Sequence, residues 1–131
     1  MGVFGQLFGG KKAGGDTRNK AIPWIPLTGR EQLERIGHTS FNKPQFIYKH
    51  STSCGISSMV LRMMEGTLNN SHSEADFYFL DLHRYPDISK AVAGEFQVRH
   101  ESPQLLIITN GQVKATASHG AIAEMEFSKY L

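Results

Sequence analysis

Phe46-Ile47-Tyr48-Lys49 reads as a β-strand, His50-Ser51-Thr52-Ser53 as a short polar link, and Cys54-Gly55-Ile56-Ser57 as the opening of a helix. Cys54 is the only cysteine of the chain. A thiol where a strand hands over to a helix meets the helix's unpaired N–H groups and the positive end of its dipole, which favour the thiolate. A lone cysteine is most often a small buried hydrophobe. Here it lies in a polar stretch and out of phase with the apolar residues that follow. Lys49 and His50 either add positive potential to the sulfur or form a solvated strand end.

Working outward, Ile56, Met59, Val60, Met63 and Met64 fall at i, i+3, i+4, i+7 and i+8, which predicts a helix with one buried stripe. Gly66 and Asn69-Asn70 are expected to end it. Upstream, Asn42-Lys43-Pro44 turns into the strand. Thr28-Gly29-Arg30-Glu31 has capping-box spacing ahead of a helix carrying Leu33 and Ile36. Trp24-Ile25-Pro26-Leu27 is at most an edge strand, because Pro26 has no N–H to donate. Downstream, Phe77-Tyr78-Phe79-Leu80 reads as a strand buried on both faces. Pro86-Asp87 opens a helix with Ile88, Val92 and Phe96 in phase. Leu105 to Ile108 is a strand, and Asn110-Gly111 a hairpin signal. The second arm carries Val113, Ala115 and Ala117 on one face, and a short helix from Ala121 to about Tyr130 closes the chain. The order is β-α-β-α-β-α-β-β-α, an α/β fold with a mixed sheet of four to five strands, whose βαβ units imply parallel pairs with right-handed crossovers.

Bulk properties narrow the function. The chain has 131 residues, a net charge of +2 and 40% hydrophobic residues, which fits one domain with a real core. Residues 1–20 read as a flexible Gly/Lys-rich tail and residues 21–131 as the domain. No basic stripe suggests nucleic acid, and no run approaches the roughly 20 apolar residues of a membrane span. One cysteine cannot close an internal disulfide, and no secretory pattern precedes the domain, so a cytoplasmic location is expected. The six histidines show no metal-ligand spacing, so no metal is expected and no bound cofactor. Ser57 makes the pattern Cys54-Gly55-Ile56-Ser57. A dithiol enzyme would have its resolving thiol there. A serine cannot resolve a mixed disulfide, though its hydroxyl can hydrogen-bond a thiolate. Any covalent intermediate on Cys54 must therefore be released by an outside thiol.

The cysteine at the helix start, the proline before a strand and the Asn-Gly hairpin together resemble a thioredoxin fold. More narrowly, the chain resembles the monothiol bacilliredoxins. The residues carrying this are Trp24, Lys49 through Ser58, Tyr78-Phe79-Leu80-Asp81, His100-Glu101-Ser102-Pro103-Gln104 and Ser118-His119, within residues 22–120. Where that family's motif has Thr and Pro around the cysteine, this chain has Ser53 and Gly55. The resemblance implies a thiol–disulfide oxidoreductase that removes bacillithiol from S-thiolated client proteins. Cys54 would be the nucleophile and Ser57 its hydrogen-bond donor. Ser53, Gly55, His50, Ser102 and Pro103 would line the substrate site, with Ser102-Pro103 a cis peptide whose backbone pairs with the client. Bacillithiol would be the co-substrate, and a second small thiol or a reducing redoxin the regenerating partner. Two other readings stand beside it. One is a non-enzymatic interaction or stress-adaptor module with Cys54 merely capping a helix. The other is an arsenate-reductase-like use of one cysteine, for which Lys49, Arg99, His50 and His100 are the nearby cations.

Overall fold

A computed structural model describes residues 22–68 and 74–131. The tail at 1–20 and the Asn69-Asn70 stop lie outside the described residues. Five strands form one sheet: β1 (Ile25–Pro26), β2 (Gln45–His50), β3 (Asp76–Asp81), β4 (Gln104–Thr109) and β5 (Gln112–Ser118). Their spatial order is β1-β3-β2-β4-β5, with β1, β3 and β2 parallel and β4 and β5 antiparallel to their neighbours. Three helices pack on it: α1 (Glu31–Thr39), α2 (Gly55–Leu68) and α3 (Pro86–Phe96).

Side-chain alternation in the strands splits the core in two. Phe46, Tyr48, Phe77, Leu105 and Ile107 point to one face, where Val60, Met64 and Leu68 of α2 cover them. Ile47, Tyr78, Leu80, Leu106 and Ile108 point to the other, under Leu33 and Ile36 of α1 and Ile88, Val92 and Phe96 of α3. Trp24 closes the first core from the β1 edge. Its ring lies 5.8 to 6.2 Å from those of Tyr48, Phe77 and Phe79, and its Nε1–H donates to Glu65 of α2 at 2.7 Å.

Four local expectations are corrected. Ile56, Met59 and Met63 are not buried: they are 45, 46 and 50% exposed, while Ser57, Val60, Met64 and Leu68 face the sheet. Both readings satisfy helical spacing, and the helix is rotated so that a serine takes an inward position. At α1, Thr28 does not cap. The Gln32 side chain instead accepts from the Thr28 and Gly29 N–H groups at 2.8 and 2.9 Å and donates to the Pro26 carbonyl. In β5, a bulge opposite Ile107/Ile108 puts Val113 against the second core while Ala115 and Ala117 pack on the first. The closing helix is two 3-10 turns, His119–Glu124 and Phe127–Tyr130, because the chain turns extended at Met125 (φ −72°, ψ 144°) and cuts any α-ladder. The Asn110-Gly111 hairpin forms as read, both residues taking the positive φ its turn requires (53° and 77°).

Candidate active site

The site lies at the carboxyl end of β2, where the chain leaves the sheet for α2. The turn is closed by Cys54 N–H donating to the Ser51 carbonyl at 3.2 Å. The Cys54 carbonyl then accepts the Ser57 N–H at 3.1 Å, starting the helix ladder. Cys54 is therefore the residue from which α2 springs, and it is partly exposed. Two neighbouring strands end beside it. His50 is in register with Asp81 of β3. Lys49 is in register with Gln104 of β4, so one step further sets Pro103 across from His50. The Ser102–Pro103 peptide is cis, and the Pro103 carbonyl accepts the His119 N–H at 3.0 Å. Thus Cys54, Ser53, Gly55, Ser57 and His50 gather at the start of α2, and Ser102-Pro103 comes to the same end of the sheet from β4.

A polar cluster gathers around the first turn of α2. Ser57 is fully buried. Its Oγ accepts the Ser51 N–H at 3.1 Å and lies 2.8 Å from His50 Nδ1 and 3.3 Å from Tyr48 Oη. Tyr48, also buried, donates its hydroxyl to the Ser57 carbonyl at 2.7 Å. Among the described residues, no hydrogen bond joins the Ser57 hydroxyl to the Cys54 sulfur; that hydroxyl is held by His50, Ser51 and Tyr48. Burial pushes the Tyr48 phenol up, against the Ser57 hydrogen bond, and the nearby charges of Cys54 and Glu65 push the same way, so it remains a neutral donor. Burial also pulls His50 below the usual imidazole range; Asp81 opposes this and His83 adds to it. His50 is accordingly neutral at pH 7.

Three participants had no sequence signal of their own. His83, in the turn after β3, brings Nε2 within 2.9 Å of Ser51 Oγ and 3.2 Å of Ser53 Oγ, and so clamps the link before Cys54. Tyr48 read only as a strand aromatic, and Ser51 only as part of a polar link. The clamp became visible only with the parallel pairing of β2 and β3, which brings residues about 30 positions apart together.

Lys49 is neither a solvated strand end nor part of the sulfur's surroundings. It alternates with Tyr48 and His50 and points to the opposite face, fully buried. Its Nζ lies 3.2 Å from the Ser89 carbonyl and 3.1 Å from His100 Nδ1. Burial brings its amine down to about 8. Among the described residues no group of three His, Cys, Asp or Glu could hold a metal ion, and no helix is long and apolar enough to cross a membrane.

A five-stranded mixed sheet with a single cysteine at the start of its central helix defines the thioredoxin-like oxidoreductase class. Solved structures agree. A candidate oxidoreductase with a thioredoxin fold is 30% identical, matching 77% of this chain and 93% of its own at a TM-score of 0.64. Thioredoxin NaTrxh from Nicotiana alata is 20% identical over 88% of this chain and 98% of its own, TM-score 0.64. A chain from a study of thiol resolution in yeast mitochondrial 1-Cys peroxiredoxin via glutathione/thioredoxin systems is 19% identical over 83% and 96%, TM-score 0.65. The model of the monothiol bacilliredoxin BrxC family matches residues 25–127. The protein belongs to that family, and its role is in thiol redox chemistry.

Proposed function

We propose that the protein is a monothiol oxidoreductase that takes a low-molecular-weight thiol, bacillithiol, off S-thiolated client proteins. The observation that carries this is the partly exposed Cys54 at the head of α2 with Ser57, not a second thiol, one turn on. In the first step the Cys54 thiolate attacks the small-thiol sulfur of the client's mixed disulfide. A Cys54–small-thiol disulfide forms, the client's S–S bond breaks, and the client cysteine leaves as thiolate. In the second step a free small thiolate attacks that adduct, giving the symmetrical small disulfide and restoring the Cys54 thiolate. Two electrons pass from the small thiols to the client in the cycle, and no second protein cysteine is needed. Ser53, Gly55 and the Ser102-Pro103 backbone border the approach to the sulfur. The family match and this geometry support the reading.

The test is release of bacillithiol from an S-bacillithiolated client followed by intact-mass spectrometry, with free bacillithiol as the second substrate. Wild type is expected to show a transient adduct of one bacillithiol and a freed client, and Cys54→Ser neither. Equal release by wild type and Cys54→Ser would refute the proposal. The arsenate-type alternative loses its nearest cation, since Lys49 points into the opposite core.

A further inference from the structure

We propose that His50 is a positioning residue that decides where the Ser57 proton points, and through it whether the Cys54 sulfur faces a hydrogen-bond donor; this rests on the thiol-exchange reading above. The argument is a count of protons at one buried oxygen. Ser57 Oγ has one proton and two lone pairs. The Ser51 N–H, 3.1 Å away, can only donate, so one lone pair is taken. The Tyr48 proton is committed to the Ser57 carbonyl at 2.7 Å, against 3.3 Å to Oγ. The shortest contact of Oγ, 2.8 Å to His50 Nδ1, then exists in two forms. With His50 neutral and its proton on Nε2, Nδ1 is the acceptor and Ser57 donates to it. With a proton on Nδ1, His50 donates to Oγ and fills the second lone pair. The Ser57 proton is then free for Tyr48 Oη or for the sulfur one helical turn back.

The surroundings set the resting form. Asp81, in register with His50 across β2 and β3, favours a proton on the ring. His83 and burial oppose it, and burial is the largest influence. The Tyr48 and Phe79 rings, with centroids 6.2 and 5.2 Å away, pack on the imidazole without adding charge, and Cys54 and Glu65 are the remaining titratable neighbours of the cluster. The resting state in this proposal is neutral His50 with its proton on Nε2, so that Nδ1 holds the Ser57 proton. A negative sulfur tips the balance, because it attracts the Ser57 proton and favours the form with Nδ1–H. By linkage the coupling is reciprocal. Oxidising Cys54 to a neutral mixed disulfide returns the proton to His50. The cluster would hold the thiolate and relax once the sulfur carries a substituent.

The test reads the imidazole by ¹⁵N NMR, comparing the reduced protein with protein capped at Cys54 by 2-mercaptoethanol, an uncharged mixed disulfide. This comparison needs no variant. In the capped protein the two ring nitrogens should be widely split, with Nδ1 bare and Nε2 protonated. In the reduced protein, at a pH where the sulfur is ionised, the split should narrow or reverse. Ser57→Ala should remove the difference between the two states, and Tyr48→Phe should keep it. His50→Asn, which offers a fixed acceptor and donor, should lose the step that His50 gives wild type in a pH profile of Cys54 alkylation. Identical ring signals in the reduced and capped proteins overturn the proposal, as does a difference that survives Ser57→Ala. The readout does not involve a client, so failure to release bacillithiol would refute the function and leave this inference standing.

Discussion

Lys49→Met should stabilise the protein at neutral pH and lose that advantage in alkali. Lys49 has no exposed surface, and its two polar partners, the Ser89 carbonyl and His100 Nδ1, are uncharged acceptors. Its amine titrates at about 8 in the fold, against 10.5 for an ordinary lysine, because burial disfavours the ammonium. The folded value is depressed, so between about 8 and 10.5 the unfolded chain binds more protons and stability rises with pH. Below about 8 both states are charged and the cost of burying the charge is fully present, about 3 kcal/mol at about 1.4 kcal/mol per unit. Methionine fills a similar volume without charge, and neither acceptor is orphaned: Ser89 Oγ also lies 3.1 Å from His100 Nδ1, and the Ser89 carbonyl belongs to α3, so the lost hydrogen bonds cost about 1 kcal/mol together. The variant should therefore be more stable than wild type by about 2 kcal/mol near pH 7, and about as stable as wild type near pH 10. Urea unfolding of both proteins at the two pH values measures this, and other titrating groups cancel in the difference. A stability gap that does not change between neutral and alkaline pH would show that Lys49 is not a desolvated cation, and the reasoning would fail.

Tyr48→Phe removes the hydroxyl that donates to the Ser57 carbonyl at 2.7 Å and should cost about 0.5–1.5 kcal/mol in urea unfolding; no loss would mean that this hydrogen bond contributes nothing to the fold. Met64→Ala should cost about 2–5 kcal/mol, whereas Met59→Gln and Met63→Gln should stay within about 0.5 kcal/mol of wild type; equal costs would contradict the rotation of α2. Gly111→Ala should destabilise the hairpin by about 1–2 kcal/mol, because φ is +77° and the new Cβ would sit 3.1 Å from the Phe41 ring; an unchanged thermal midpoint would argue against that turn.

The succession of strands and helices could be read from the chain because each strand carries a local signal that the sheet does not override. Phe77 to Leu80 is a run that only a doubly covered strand tolerates, and Asn110-Gly111 accepts the positive φ of a tight hairpin. The phase of α2 was not legible. Ile56, Met59, Val60, Met63 and Met64 form one continuous stripe by spacing, and hydrophobicity alone gives no reason to turn Ser57 inward and three apolar residues out. The reason lies in the sheet: Tyr48 offers a phenol at the spot where the helix begins, and a buried phenol needs an acceptor, which the Ser57 carbonyl provides. The bulge in β5 was hidden in the same way, since alternation along one strand carries no information about an extra residue relative to its partner.

The candidate site divides along the same line. Cys54, Ser57 and the Ser102-Pro103 pair could be named because each sits at a junction where composition departs from its surroundings. Lys49 and His50 were read together as a charged strand end, yet neighbours in a strand point to opposite faces. That alternation sends Lys49 into the core under α3 and leaves His50 with the sulfur. Once Lys49 is removed, the nearest cation assigned to the site is gone, and burial disfavours a charge on His50. The polar character that remains consists of directed hydrogen bonds from Tyr48, Ser51 and His83. In the arrangement proposed above, the direction of these protons acts on the sulfur together with the positive end of the α2 dipole, so its response to pH should follow His50 and not Lys49.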